Sequence, residues 1–167
     1  MKEIKIPEER IGVIIGEDGE TKEEFQNLTE TELEINNNTV KVEGEPLDEM
    51  TGQKIVKAIG RGANPDQAFK LLEENHTLHI IDISDYAETR NSRDRLKGRV
   101  IGRSGETKRH IQKETQTELA IYGKTITIIG KASNIEIAME AIRMLLQGSS
   151  HATAYNYIEK NQHRIQH

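Results

Sequence analysis

The sequence has no cysteine and no tryptophan, and its 167 residues include only two phenylalanines, four tyrosines and three prolines. Without cysteine there is no disulfide framework, no thiolate metal site and no cysteine nucleophile. With so few aromatics, any core must be aliphatic, built from Ile, Leu and Val. No stretch approaches the roughly 18 consecutive apolar residues of a membrane span. The opening Met1-Lys2-Glu3-Ile4-Lys5 alternates charge and lacks the apolar region of a secretory signal. The expectation is a cytoplasmic protein.

Catalytic and metal patterns are missing too. His76 and His79 straddle the start of a strand, His110 stands alone, and His151, His163 and His167 lie in the tail. None forms H-E-x-x-H or another ligand pattern. Neither Gly16–Lys22 nor Gly102–Lys108 is a phosphate-binding ATPase loop, because no glycine precedes the lysine. No Ser–His–Asp arrangement can be inferred. The chain reads as a non-catalytic protein with no cofactor and no metal. A hydrophobic fraction of 34% with 31% charged residues suits one ordinary domain or two small ones.

What is present is an uneven charge. The net value of −5 hides two halves. Residues 1–89 hold 9 basic and 21 acidic side chains, a balance of −12, whereas residues 90–167 hold 14 and 7, a balance of +7. Such asymmetry points to one half meeting an anionic partner.

An internal repeat organises the chain. Arg10–Gly44 lies over Leu96–Gly130 at a constant offset of 86, without a gap. Fifteen of 35 positions are identical, among them Gly16/Gly102, Gly19/Gly105, Thr21/Thr107, Lys22/Lys108, Gln26/Gln112 and Thr29/Thr115. Chance would give about two, from average residue usage. A duplicated domain follows.

Each copy predicts the same order of elements. A short apolar strand comes first, Glu3–Ile6 or Thr77–Ile83, then a helix over Pro7–Ile15 or Ser92–Ile101. A second helix leaves the glycines at Glu20 or Glu106, with Phe25, Leu28 and Ile111 apolar. Two alternating strands follow: Glu32–Ile35 with Thr39–Glu43, and Glu118–Tyr122 with Thr125–Ile129. Asn36-Asn37-Asn38 and Gly123-Lys124 between them are hairpin chemistry. A long amphipathic helix closes each copy, near Asp48–Ile59 and Ser133–Leu146. In the latter Ile135, Ala138, Met139, Ile142, Leu145 and Leu146 share one face. Three strands with helices on one face make a two-layer α+β unit. The expected boundaries are residues 1–74, with a linker helix over Asp66–Glu74, then 75–148, then a C-terminal helical extension over 149–167 carrying Tyr155, Ile158 and Ile165.

Ile14-Ile15-Gly16-Glu17-Asp18-Gly19 and Val100-Ile101-Gly102-Arg103-Ser104-Gly105 each set G-x-x-G between two helices. Glycine permits the sharp turn and a close approach of backbone to backbone, and the following helix points free N–H groups into the same space. Repeated after an apolar pair in two matching units, this loop resembles that of the KH family, type I. The resemblance implies a three-stranded antiparallel sheet in each domain and about four nucleotides of single-stranded nucleic acid held at the loop. The usual family pattern has a hydrophobic residue where Lys22 and Lys108 stand. That departure, with Gly-Glu-Thr-Lys in both copies, Gly60-Arg61-Gly62 with Pro65, and Leu145–Ser149 with Tyr155, resembles one subfamily. It is the archaeal small-subunit rRNA-processing KH protein, counterpart of the eukaryotic partner-of-Nob-one factor. This resemblance implies binding near the 3′ end of small-subunit rRNA, and contact with the rRNA-maturation endonuclease and a translation initiation factor.

The two loops differ electrically. Glu17, Asp18, Glu20, Glu23 and Glu24 surround the first against Lys22 alone, while Arg90–Lys113 carries a balance of +7. A phosphate beside Glu17 and Asp18 meets repulsion of roughly 1 kcal/mol per close pair in water. The expected RNA site is therefore the second copy: Lys97, Arg99, Val100, Ile101, Gly102, Arg103, Ser104, Gly105, Lys108 and Arg109. Gly16, Glu17, Asp18 and Gly19 form a degenerate loop. Val100, Ile101, Ile111, Leu119 and Ile121 fit an apolar groove for bases and fit a core equally. The competing reading is a KH-fold docking scaffold in the translation apparatus, and DNA is an alternative ligand.

Overall fold

The computed structural model describes residues 3–167 and divides into two compact units after His76. In the first, β1 (Glu3–Lys5) leads to α1 (Glu8–Ile15), α2 (Glu20–Thr29), the hairpin β2 (Glu32–Asn36) and β3 (Thr39–Glu43), α3 (Pro46–Gly60) and α4 (Pro65–Phe69). In the second, β4 (His76–Asp82) leads to α5 (Arg90–Ile101), α6 (Glu106–Thr115), β5 (Glu118–Tyr122), β6 (Thr125–Lys131), α7 (Ala132–Leu146) and α8 (His151–Lys160). The strand orders are β1-β3-β2 and β4-β6-β5, both antiparallel. Hairpin registers match at the offset of 86: Asn36 pairs with Thr39, and Tyr122 with Thr125. Asn37 and Gly123 open the turns at φ 52° and 54°, which Asn and Gly tolerate best.

Several repeated identities serve one joint. Gln26 and Gln112 accept from the backbone N–H of Leu33 and Leu119, both at 2.9 Å. Thr29 and Thr115 donate to the carbonyls of Phe25 and Ile111 at 2.7 and 2.6 Å, and pair with the hydroxyls of Thr31 and Thr117. A Cβ at Gly44 or Gly130 would press on those threonine methyls at 2.9 or 3.1 Å. The corner from helix to strand is thus built twice from the same parts.

Beyond the expected limits of the repeat, the equivalence continues. The 15-residue helices α3 and α7 start at Pro46 and Ala132, and α4 and α8 at Pro65 and His151, all 86 apart. Gly62 and Gly148 precede the latter pair at φ 102° and 101°. Asn64 and Ser150 cap it, each accepting from the N–H three residues on. Ala68 and Ala154 are both fully buried. The linker helix and the C-terminal helix are one element, used twice.

Other expectations shift. Leu28 is 48% exposed, because the covered arc of α2 runs through Phe25 and Thr29. The helix expected over Asp66–Glu74 starts at Pro65 behind an Asn64–Gln67 capping box and tightens into a 3-10 turn over Lys70–Leu72, with Leu71 buried. Ile137 and Ala141 of α7 are buried as well as the expected face, and join one core with Ala154 and Ile158 of α8. Ile165 lies past the end of α8 yet belongs to that core. In the second unit a 3-10 turn over Ile83–Asp85 and the stretch to Thr89 separate β4 from α5, whereas Pro7 joins β1 directly to α1. This insertion explains why the gapless repeat begins only at Arg10 and Leu96.

Candidate nucleic-acid interface

Helix α5 begins at Thr89, whose hydroxyl accepts from the N–H of Ser92 at 3.1 Å. Its sequence spends only Leu96 and Val100 on the core, one turn apart, and six of its other ten residues are charged. At Gly102 the chain turns with φ 75° and ψ 175°, a conformation open essentially to glycine. An added Cβ there would lie 2.7 Å from Thr107 Cβ and from Thr107 N. Ser104 and Gly105 follow in the left-handed region, at φ 54° and 78°, and α6 starts.

The first unit repeats this geometry closely: Gly16 at φ 74° and ψ 177°, Asp18 at φ 53°, Gly19 at φ 77°. The two loops share a backbone and differ in what they display. Glu17 and Asp18 stand exposed where the second loop has Arg103 and Ser104. Arg109 donates from Nη1 to the Ser104 carbonyl at 2.7 Å, bracing the cationic loop. Its counterpart, Glu23, carries no such donor.

The structure sorts the expected site residues. Gly102, Arg103, Ser104, Gly105 and Arg109 meet at the loop, and Lys108 lies half-buried on α6. Lys97 is turned about 160° from Arg95 around α5, at 100° per residue. Val100 is fully buried, as are Ile111 and Leu119, so these belong to the core and not to a groove surface. Of the five apolar candidates, Ile101 and Ile121 keep partial exposure.

Arg99 also departs from the expectation. Its guanidinium donates to the Leu145 carbonyl at 2.9 Å and to that of Ser149, tying α5 to the end of α7. In the first unit Arg10 makes the same tie, to Ile59 and Ala63, both at 2.8 Å. The acceptors match at the offset of 86, but the arginines do not: Arg10 sits one turn earlier on its helix. A gapless alignment cannot pair them.

The sequence predicts a C-terminal helix, but not that α8 lines the candidate site. His151 donates from Nε2 to the Arg99 carbonyl at 2.9 Å. The Tyr155 hydroxyl bonds Thr107 Oγ1 at 3.2 Å, and its ring lies 4.0 Å from that of His110, tilted 34°. Together with α5 and the loop, Thr107, His151 and Tyr155 line an open cleft of about 500 Å³ beside Gly102. A histidine and a tyrosine four residues apart on one helix, in so aromatic-poor a chain, were the available signal. Among the described residues, no cluster of His, Asp or Glu could hold a metal ion, and no helix is long and apolar enough to cross a membrane.

Comparison with known proteins agrees with this architecture. The family model described as eukaryotic-type KH domain, type I, matches twice, over residues 7–77 and 77–163. The KH domain-containing protein MJ0443 of Methanocaldococcus jannaschii is 42% identical over 97% of this chain and 74% of its own. The pre-rRNA-processing protein PNO1 of Chaetomium thermophilum is 30% identical over 78% of this chain, which spans about half (51%) of that relative. The crystal structure of an a/eIF2alpha–aDim2p–rRNA complex from Pyrococcus horikoshii OT3 contains a chain 38% identical to this one. It matches at a TM-score of 0.89, covering 97% of this chain and 93% of that one. With two type I KH units in tandem and these relatives, the chain belongs to the PNO1/Dim2 family of KH-domain proteins, as its archaeal form.

Proposed function

We propose that this protein is a non-catalytic binder of single-stranded RNA that grips its ligand at the Gly102–Gly105 loop and acts in maturation of the small-subunit rRNA 3′ end. The observation that carries the reading is a natural control within one chain: two loops of nearly equal backbone geometry, one anionic and one cationic. Backbone N–H groups at a helix start suit phosphate in both, so side-chain charge decides between them. Relatives named for pre-rRNA processing, and one crystallised with rRNA and a/eIF2alpha, support RNA over DNA and support a translation factor as partner. The maturation endonuclease is the further partner this role requires.

Protein docking falls to the first unit. Leu47 and Met50 stand exposed there beside Asp48 and Glu49, a surface unsuited to a polyanion.

The test is titration of a single-stranded RNA from the small-subunit rRNA 3′ end at several salt concentrations. Wild-type affinity should fall on a log–log plot with a slope of about 0.7 per phosphate contacted. Arg103→Asp with Ser104→Asp should lose binding while keeping the thermal melt; Glu17→Lys with Asp18→Lys should bind equally or more tightly. Normal binding by the first variant would reject the site.

A further inference from the structure

The cleft between α8 and the loop shares Gly102 and Arg103 with the grip described above and extends beyond it to Arg95, His151 and Tyr155. Arg95 and Arg103 reach it exposed, their guanidinium groups without an ion pair or hydrogen bond to any described residue. Gly98 and Gly102 give it a floor without side chains, and a Cβ at Gly98 would meet nothing within 4 Å. Tyr155 and His151 form the far wall, held in place by Thr107 and by the Arg99 carbonyl. Glu106 is the one carboxylate in the lining. A volume of about 500 Å³ lies within the roughly 300–1,000 Å³ of small-molecule sites and exceeds what a phosphate alone would need.

The first unit again supplies the comparison. At the offset of 86, Arg95 becomes Glu9, Arg99 becomes Val13, Arg103 becomes Glu17, His151 becomes Pro65 and Tyr155 becomes Phe69. The helix that forms the wall is present in both units, and only in the second does it present an imidazole and a tyrosine hydroxyl, facing arginines on α5 and the loop. Core demands cannot account for this, since α4 and α8 bury the same alanine.

We propose that this cleft is a second RNA subsite. It takes one nucleotide beyond those at the loop, its phosphate between Arg95 and Arg103 and its base or sugar against Tyr155 and His151. The C-terminal helix thereby becomes part of the RNA-binding surface and lengthens the footprint past the roughly four nucleotides of a single KH domain. The inference rests on the reading that the second loop binds RNA.

The experiment uses the full chain and the 3′-terminal segment of small-subunit rRNA, shortened stepwise from eight to four nucleotides from either end. For each protein the quantity read is the ratio of affinities between the longer and the four-nucleotide RNA. In the wild type, one added nucleotide at one end should tighten binding roughly tenfold, the scale of base–aromatic stacking. Arg95→Gln and Tyr155→Leu should each remove most of that increment; Tyr155→Leu keeps apolar volume on α8, and a melt verifies its fold. Crosslinking of an RNA with 4-thiouridine at the added position should label Tyr155 or His151. If four nucleotides bind as tightly as eight, or if the increment survives in both variants, the subsite does not exist although the loop assignment stands. If RNA of no length binds, both fall.

Discussion

At the residue scale, the loop glycines and the bracing arginines have different tasks that the sequence presents alike. Gly102 combines a φ of 75° with the Thr107 backbone and Cβ at 2.7 Å from any added Cβ. Gly102→Ala should therefore cost about 1–3 kcal/mol, the usual strain for this backbone region, and weaken RNA binding through a displaced loop. Comparing its urea melt and its RNA titration with the wild type checks both effects. Arg99 stood among the expected RNA contacts on charge alone, but its guanidinium is committed to two carbonyls at the end of α7. Arg99→Ala should lower stability by about 2 kcal/mol, the scale of hydrogen bonds to a charged donor. In a thermal melt it should destabilise the chain more than Arg103→Ala does; equal melts would return Arg99 to the RNA surface. Charge counts are legible in a sequence, and the partner of each charge is not. Val100 illustrates the same limit: an apolar residue before G-x-x-G suits a groove or a core, and the fold buries it completely.

At the element scale, period and turn chemistry placed the strands, hairpins and the helices of the repeat within a residue or two, whereas α4 and α8 end five and seven residues short of the expected spans. Alternation, an asparagine or glycine turn and a 3.6-residue apolar stripe are local signals. What stayed hidden was the equivalence of α4 and α8, because so few side chains match there: Gly62 with Gly148, and Ala68 with Ala154. A glycine at positive φ and an alanine under a helix are what that joint needs, and two identities do not stand out in a sequence. The consequence is energetic. Ala154, Ile158 and Ile165 complete the second core, so α8 is part of the unit and not an appendage. Ile158→Ala should cost about 2–4 kcal/mol, as for other large-to-small changes at buried sites. Amide hydrogen exchange should show protection lost in α6 and α7, which α8 packs against. Unchanged exchange there would mean that α8 is dispensable to the core.

At the scale of the whole molecule, duplication supplied two scaffolds, and charge sets their loops apart. The corner threonines, the hairpins and the arginine tie are kept in both units, since both must fold. The loop side chains and the cleft wall are free of that demand, and there the copies diverge: Glu17 against Arg103 at the loop, Pro65 and Phe69 against His151 and Tyr155 on the wall. The chain's acidic average is thus no argument against a polyanionic ligand; the segment from Arg90 to Lys113 carries +7 by itself. The measurement that tests this division most directly is ultraviolet crosslinking of the intact protein to total cellular RNA, with both crosslinked peptides and RNA positions sequenced. Peptides spanning Arg103–Arg109 should carry the label, joined to the 3′ region of small-subunit rRNA. Label concentrated at Gly16–Gly19, with the second loop empty, would contradict the account.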